Sequence, residues 1–287
     1  MSDLSSPAAS RPAPLLSRWL KRGAGIVLAG AVLFYVGVGG FLYAGQRALL
    51  FRPDTSDVRS GASDLPGAEA VTLVTADGER IHAWWRPPAE GAVTLLYLHG
   101  NGANLNRRLG RFIRLTQNGA GLLAVSWRGY GGSSGYPSEA GLRLDAAAAY
   151  DWLAARVPPE RLVLFGESLG TGLAIWLASE RKAALLALDS PYASIVDIGA
   201  RLYPWLPVAL LSRDPFRSVD LAPRITIPVV AQHCTRDWLI PLADARRLMA
   251  AFPSAPDLAV IDGRCHIPDP ARGLLPLMRA RLGQAGL

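Results

Sequence analysis

A serine becomes a nucleophile only where a base can take its proton and donors await the oxyanion. The sequence offers two places for such a serine. The pattern G-x-S-x-G occurs at Gly131-Gly132-Ser133-Ser134-Gly135 and again at Gly166-Glu167-Ser168-Leu169-Gly170. The chemistry needs a strand directly before the serine and a helix directly after it, so that a sharp turn lifts the hydroxyl above a sheet. The first match runs into Tyr136-Pro137, which does not begin a helix there. The second follows RLVLF and opens LGTGLAIWLASE, and Gly166, Gly170 and Gly172 are small enough for strand and helix to approach closely. Ser168 is therefore the candidate nucleophile, and Ser133 reads as part of a glycine-rich turn.

The base must be one of four histidines, His82, His99, His233 or His266. His82 falls in a hairpin before the main pattern, and His99 and His233 each end an apolar run. His266 follows the last apolar run, on a loop free to swing over the nucleophile, and is the candidate base. An imidazole in that role needs a carboxylate to fix its tautomer. Asp237 stands just past the strand that precedes the histidine strand, giving the chain order Ser168, Asp237, His266. Asp189, past the previous strand, is the competing acid, with a helix or turn cap as its structural role. Asp262 and Asp269 read as exposed neighbours of His266. For the oxyanion, the expected donors are the backbone N–H of Leu169 and that of Asn101 in His99-Gly100-Asn101-Gly102, with Gly102 as an alternative.

These residues must be positioned by a scaffold, and the hydrophobic pattern predicts one. Residues 70–86 alternate apolar and polar around Asp77-Gly78, a hairpin signal. Short apolar runs follow at Val93–Leu98, Leu122–Trp127, Leu162–Phe165, Leu185–Leu188, Pro228–Gln232 and Leu258–Ile261, with helical stretches near 104–117, 138–156, 169–181, 241–252 and 272–284. Strands apolar throughout and alternating with helices predict an α/β fold, a mostly parallel sheet covered on both faces. Ligands bind such sheets beyond the C-terminal strand ends. The long, Pro-rich connection 190–224 is expected to be a lid-like insertion over that region.

The 23 residues from Gly23 to Gly45 carry no charge and include seven glycines. As a helix they would span roughly 34 Å, enough for a hydrocarbon core of about 30 Å. Arg11, Arg18, Lys21 and Arg22 precede this stretch against a single acid, Asp3. That bias predicts a single-pass signal anchor with a cytoplasmic N-terminus and the rest of the chain on the extracytoplasmic side. A cleaved signal peptide is the rival, although its apolar region is normally about 7–15 residues. The expected organisation is a disordered basic tail over 1–22, a transmembrane segment over 23–45 and a catalytic domain over 46–287.

Composition narrows the classes further. Half of the 287 residues are hydrophobic and 18% are charged, which excludes an intrinsically disordered chain. Two cysteines make neither a disulfide scaffold nor a four-cysteine zinc site. The net charge is +7, but no basic cluster interleaves with aromatics, so no nucleic-acid partner is indicated. No H-E-x-x-H is present to suggest metalloprotease chemistry.

Taken in order, LLFRP at 49–53, LHGNGAN at 98–104, RGYGGSSGYP at 128–137, GESLG at 166–170, Asp237 with Pro241, and Cys265-His266 resemble the alpha/beta-hydrolase superfamily, and within it the Bem-type membrane-anchored abhydrolases. The resemblance covers about residues 45–280. It implies the alpha/beta-hydrolase fold, a Ser-His-Asp triad, one N-terminal anchor, and hydrolysis of an ester, thioester or acyl bond with no cofactor and no metal. Cys234, Cys265 and Glu167 depart from the family's usual pattern. Both cysteines should lie past the ends of adjacent strands, which run about 4.8 Å apart. That is close enough for a disulfide, the alternative being two buried thiols. The expected partners are a small or lipid-like acyl substrate and the membrane. A peptidase and a non-catalytic binding module are the alternatives on the same fold.

Overall fold

The computed structural model describes residues 15–286 and divides at Gly45 into two units, Met1–Gly45 and Gln46–Leu287. Helix α1 runs from Leu15 to Leu50. It is longer than the uncharged stretch at both ends, because Lys21, Arg22, Gln46 and Arg47 are good helix formers that mark where apolar sequence stops without ending the helix. Residues 15–22, expected to be disordered, are thus helical, and the remainder of the expected tail lies outside the described residues. The most apolar 18-residue window of α1 has a mean hydropathy of 2.1 and is not buried, unlike the core helix of a soluble domain. The last residues of α1 belong to the second unit, where Arg47 forms a two-pronged ion pair with Asp214 at 2.7 and 3.2 Å.

The second unit is built on an eight-stranded sheet. Strands β1 (Glu69–Val74) and β2 (Arg80–Arg86) form the hairpin, with Gly78 at φ 88° in its turn. They are followed by β3 (Thr94–Leu98), β4 (Gly121–Val125), β5 (Leu162–Glu167), β6 (Leu185–Asp189), β7 (Val229–Cys234) and β8 (Asp257–Ile261). The order is β1-β2-β4-β3-β5-β6-β7-β8. The pairs β1·β2 and β2·β4 are antiparallel and all others parallel. Strands β3 to β7 are buried at every position, which is why they read as unbroken apolar runs. Each Leu or Val removed from water there contributes about 1.5–3 kcal/mol.

Successive side chains of each strand feed two cores. On one face Leu96, Leu98 and Leu164 pack with α3 (Glu139–Ala154), α4 (Leu169–Glu180) and α8 (Leu242–Met249). On the other, Leu95, Tyr97 and Phe165 pack with α2 (Leu109–Thr116) and α9 (Leu274–Gln284). The insertion 190–224 is three short helices, α5 (Ile195–Leu202), α6 (Val208–Leu211) and α7 (Ser218–Leu221). Strand β7 runs two residues beyond the predicted end, so His233 lies inside it and is buried. Because β3 and β5 to β8 are parallel and in register (Leu98 beside Gly166, Cys234 beside Ile261), the loops after β3, β5, β7 and β8 leave the same edge of the sheet.

Candidate active site

Ser168 stands between β5 and α4 with φ 48° and ψ −115°, a region that costs a non-glycine residue about 1–3 kcal/mol. Close packing holds it there. A Cβ on Gly170 would lie 1.9 Å from the Leu98 carbonyl oxygen, and one on Gly166 would lie 2.5 Å from Thr171 Cα. The Ser168 N–H donates to the Asp189 carbonyl at 2.8 Å, and the Thr171 N–H donates to the Ser168 carbonyl at 2.9 Å. Leu169 is the first residue of α4, where backbone N–H groups lack partners within the helix and face incoming negative charge.

Three loops bring the other predicted residues to this serine. His266 Nε2 is 2.8 Å from Ser168 Oγ. His266 Nδ1 is 2.8 Å from Asp237 Oδ2. The second oxygen of Asp237 accepts the N–H groups of Leu239 and Ile240 at 2.8 and 3.0 Å. Burial opposes the Asp237 charge, but the hydrogen bonds from His266 and from these amides outweigh it and hold the carboxyl below the usual carboxylate range. The Trp238 ring lies 5.8 Å from that of His266 and is itself exposed. Gly100 abuts the serine, since a Cβ there would lie 3.1 Å from Ser168 Cβ. Asn101 follows it, its side chain committed to the loop: Oδ1 accepts from Arg52 N, Gly102 N and Tyr130 OH at 3.0, 2.9 and 2.8 Å.

The competing candidates are engaged elsewhere. Ser133 is buried and donates to the Ser126 carbonyl at 2.8 Å while accepting the His82 N–H at 2.9 Å. His82 is 3.2 Å from Thr72 Oγ1. Burial pushes the His99 imidazole down to about 3, so it stays neutral, with Nδ1 2.6 Å from the Gly100 carbonyl. His233, buried in β7, has Nε2 2.9 Å from the Ile240 carbonyl and 3.7 Å from Asp237 Oδ2, so it neighbours the acid but its close partner is the carbonyl. Asp189 ends β6 and pairs with Arg111 at 2.5 Å rather than with a histidine, and burial pushes its carboxyl up to about 6 against the pull of that arginine. Asp262 accepts from Thr235 Oγ1 at 2.9 Å, and Asp269 caps Ala271 N at 3.0 Å.

Cys234 and Cys265 are joined in a disulfide with Cα atoms 5.7 Å apart. Cys234 is the last residue of β7 rather than past its end, so the bridge ties the end of that strand, three residues before Asp237, to the loop that carries His266. Three residues that sequence reasoning missed hold the histidine loop as well. Ser190 Oγ donates to the His266 carbonyl. Gln232 Nε2 and Arg111 Nη2 both donate to the Pro268 carbonyl, at 3.3 and 2.8 Å. The only sequence signal for Ser190 and Gln232 is their place at or just past strand ends.

Known proteins share this architecture. A family defined by the alpha/beta hydrolase fold matches residues 93–210. An uncharacterized protein of Mycobacterium tuberculosis is 36% identical over 244 residues, 84% of this chain and 87% of that protein. The alpha/beta hydrolase domain-containing protein WAV2 of Arabidopsis thaliana is 30% identical over 253 residues, 77% of this chain and 82% of its own length. Among solved structures, the Pyrococcus furiosus esterase Pf2001 superposes with a TM-score of 0.62 at 22% identity, over 81% of this chain and 97% of that one. An acetyl xylan esterase from Paenibacillus sp. R4 does so with a TM-score of 0.58 at 18% identity, over 83% of this chain and 98% of that one. With an eight-stranded sheet in this order and a relative of this kind matched over more than four fifths of its length, the chain belongs to the alpha/beta hydrolase family.

Proposed function

We propose that the protein is a membrane-anchored serine hydrolase that cleaves a carboxylic ester, thioester or related acyl bond through an acyl-enzyme. The observation that carries this reading is the unbroken line from Ser168 Oγ to His266 to Asp237, with 2.8 Å at each junction. In this reading the Asp237 carboxylate accepts Nδ1–H, which leaves Nε2 unprotonated and able to take the serine proton. Ser168 then attacks the acyl carbonyl. The backbone N–H groups of Leu169 and Asn101 receive the oxyanion, and His266 returns the proton to the leaving group. Water, deprotonated by His266, releases the acid and restores the serine.

The anchor rests on the apolar α1 and the basic residues before it. The Cys234–Cys265 bridge supports a domain on the oxidising, extracytoplasmic side of the membrane. The half-apolar insertion and the anchor favour a lipid-like acyl group over a polar one.

A fluorophosphonate probe tests the chemistry on the full chain. Wild type is expected to label and Ser168→Ala to show neither labelling nor turnover. Folded wild type that stays unlabelled overturns the reading in favour of a binding module. Faster cleavage of aminoacyl amides than of acyl esters would make the enzyme a peptidase. N-terminal sequencing that found a mature start near Gln46 would replace the anchor with a signal peptide.

A further inference from the structure

Glu167, one of the departures from the family's usual pattern, sits next to the candidate nucleophile in the sequence. The structure turns it away from Ser168 into a buried chain of ions. Glu167 Oε1 takes Arg108 Nε and Nη2 at 2.9 and 2.7 Å, and its other oxygen accepts from Tyr97 OH and lies 3.5 Å from Arg111 Nε. Arg111 Nη1 continues the chain to Asp189 at 2.5 Å. Burial opposes the Glu167 charge, but the two guanidinium groups outweigh it and hold the carboxyl at about 2. An ion chain this deep is weak evidence of stability, because desolvation cancels most of the attraction. Its geometry points to another use.

Arg108 and Arg111 are one turn apart on the chain entering and forming α2, and between them they reach the loop after β3, the loop that carries His266 and the carboxylate that precedes Ser168. Arg108 donates to the carbonyl oxygens of Gly100, Gly102 and Asn104, at 3.4, 3.4 and 3.0 Å. Arg111 donates to the Pro268 carbonyl at 2.8 Å, two residues past His266. Both pair with the carboxylate that immediately precedes Ser168. Asp189, the end of the chain, accepts the Ser168 N–H on its own carbonyl at 2.8 Å.

The Gly100 carbonyl matters most. In a trans peptide the C=O of one residue and the N–H of the next point in opposite directions, and this chain has no cis peptide among its described residues. Holding the Gly100 oxygen on Arg108 and on His99 Nδ1 therefore aims the Asn101 N–H to the opposite side of the loop. The Gly100 N–H itself is tied to Glu167 Oε1 at 3.2 Å. Both ends of residue 100 are thus fixed from behind by the ion chain.

We infer that Arg108 and Arg111 are positioning residues: Arg108 sets the direction of the Asn101 N–H toward the oxyanion, and Arg111 sets the height of the His266 loop over Ser168. This inference rests on the serine-hydrolase reading above. Lysine keeps the positive charge at either position but replaces a planar fork of five donors with a point charge, so it cannot hold carboxylate and carbonyls together.

The test compares full-length wild type with Arg108→Lys and Arg111→Lys in detergent micelles. It uses a soluble short-chain p-nitrophenyl ester, with active sites counted by fluorophosphonate labelling. Arg108→Lys is expected to lower kcat per labelled site about 10- to 100-fold with KM within about twofold, in the range seen when an oxyanion donor is lost. The affinity of a trifluoromethyl ketone, which forms the oxyanion adduct, should fall by the same factor as kcat. Arg111→Lys is expected to slow labelling itself about tenfold, because that step needs the imidazole at the serine. If both variants lose melting temperature but keep wild-type kcat and labelling rate, the arginines are structural only and the inference is overturned. Wild type that neither labels nor turns over the ester overturns the hydrolase reading, and this inference with it.

Discussion

The two halves of the Ser168–His266–Asp237 line are held by different physics. The serine half is held by exclusion: Gly170 and Gly166 leave no room for a single methyl group, and the elbow's positive φ is fixed by neighbours on every side. The histidine–aspartate half stands on two loops at the open end of the sheet, next to the edge strand β8, with Arg236, Trp238 and Arg264 exposed. Those loops are held by tethers: one disulfide, the Thr235 hydroxyl bonded to Asp262, and the side chains of Ser190, Gln232 and Arg111. Strained backbone survives where packing over-determines it. Where the chain leaves the core, cross-links and side-chain hydrogen bonds must supply the same precision.

Substitution of glycines is the most severe way to break this contrast. Gly170→Ala would place a methyl group 1.9 Å from the Leu98 oxygen and 2.6 Å from its carbonyl carbon, both backbone atoms of a buried strand. We expect no folded, soluble protein. Gly263→Ala, on the histidine loop, meets nothing within 4 Å and is strained only by its φ of 143°. It should cost about 1–3 kcal/mol and leave a folded enzyme. Thermal unfolding and expression yield of the pair decide the matter, and equal tolerance at both positions would remove the distinction.

The disulfide comes next. Cys234 and Cys265 are separated by 31 residues, so opening the bridge should cost about 3–4 kcal/mol of stability through the unfolded chain. With the hydrogen-bond tethers still in place, fluorophosphonate labelling should slow about tenfold rather than stop. Melting temperature and labelling rate of Cys234→Ser/Cys265→Ser, with and without reductant for wild type, measure both. Unchanged values would show that hydrogen bonds alone hold the histidine loop.

The same contrast explains what the sequence could and could not disclose. The parallel strands were legible because burial on both faces leaves only apolar residues, and their ends fell within two residues of the observed ones. As candidates, His266 stood out because the chain has only four histidines, and Ser168 and Asp237 because their places just past strand ends follow from the alternating pattern. The full length of helix α1 was not legible, because hydropathy marks where an apolar stretch ends whereas helical hydrogen bonding continues past that point to Leu50. The ion chain stayed hidden because Arg108 and Arg111 look like any amphipathic helix surface until the fold brings Glu167 and Asp189 against them. Nothing in a sequence says which arginines face inward.

Ser190 gives the finest test, because two small effects meet there. Its φ is 55°, unfavourable for any residue but glycine, and its hydroxyl holds the His266 carbonyl. Its N–H donates to the Gln232 carbonyl at 3.0 Å, so the backbone has a reason of its own to stay. Ser190→Ala removes the hydroxyl bond and keeps the strained φ, an expected loss of about 0.5–1.5 kcal/mol. Ser190→Gly removes the same bond but relieves the φ, and should recover about 1 kcal/mol relative to alanine. If the hydroxyl is what steadies His266, both variants should lower kcat by the same few-fold factor although their melting temperatures differ. If backbone strain matters instead, kcat will follow melting temperature, and the histidine loop will prove to be governed by packing in the same way as the serine elbow.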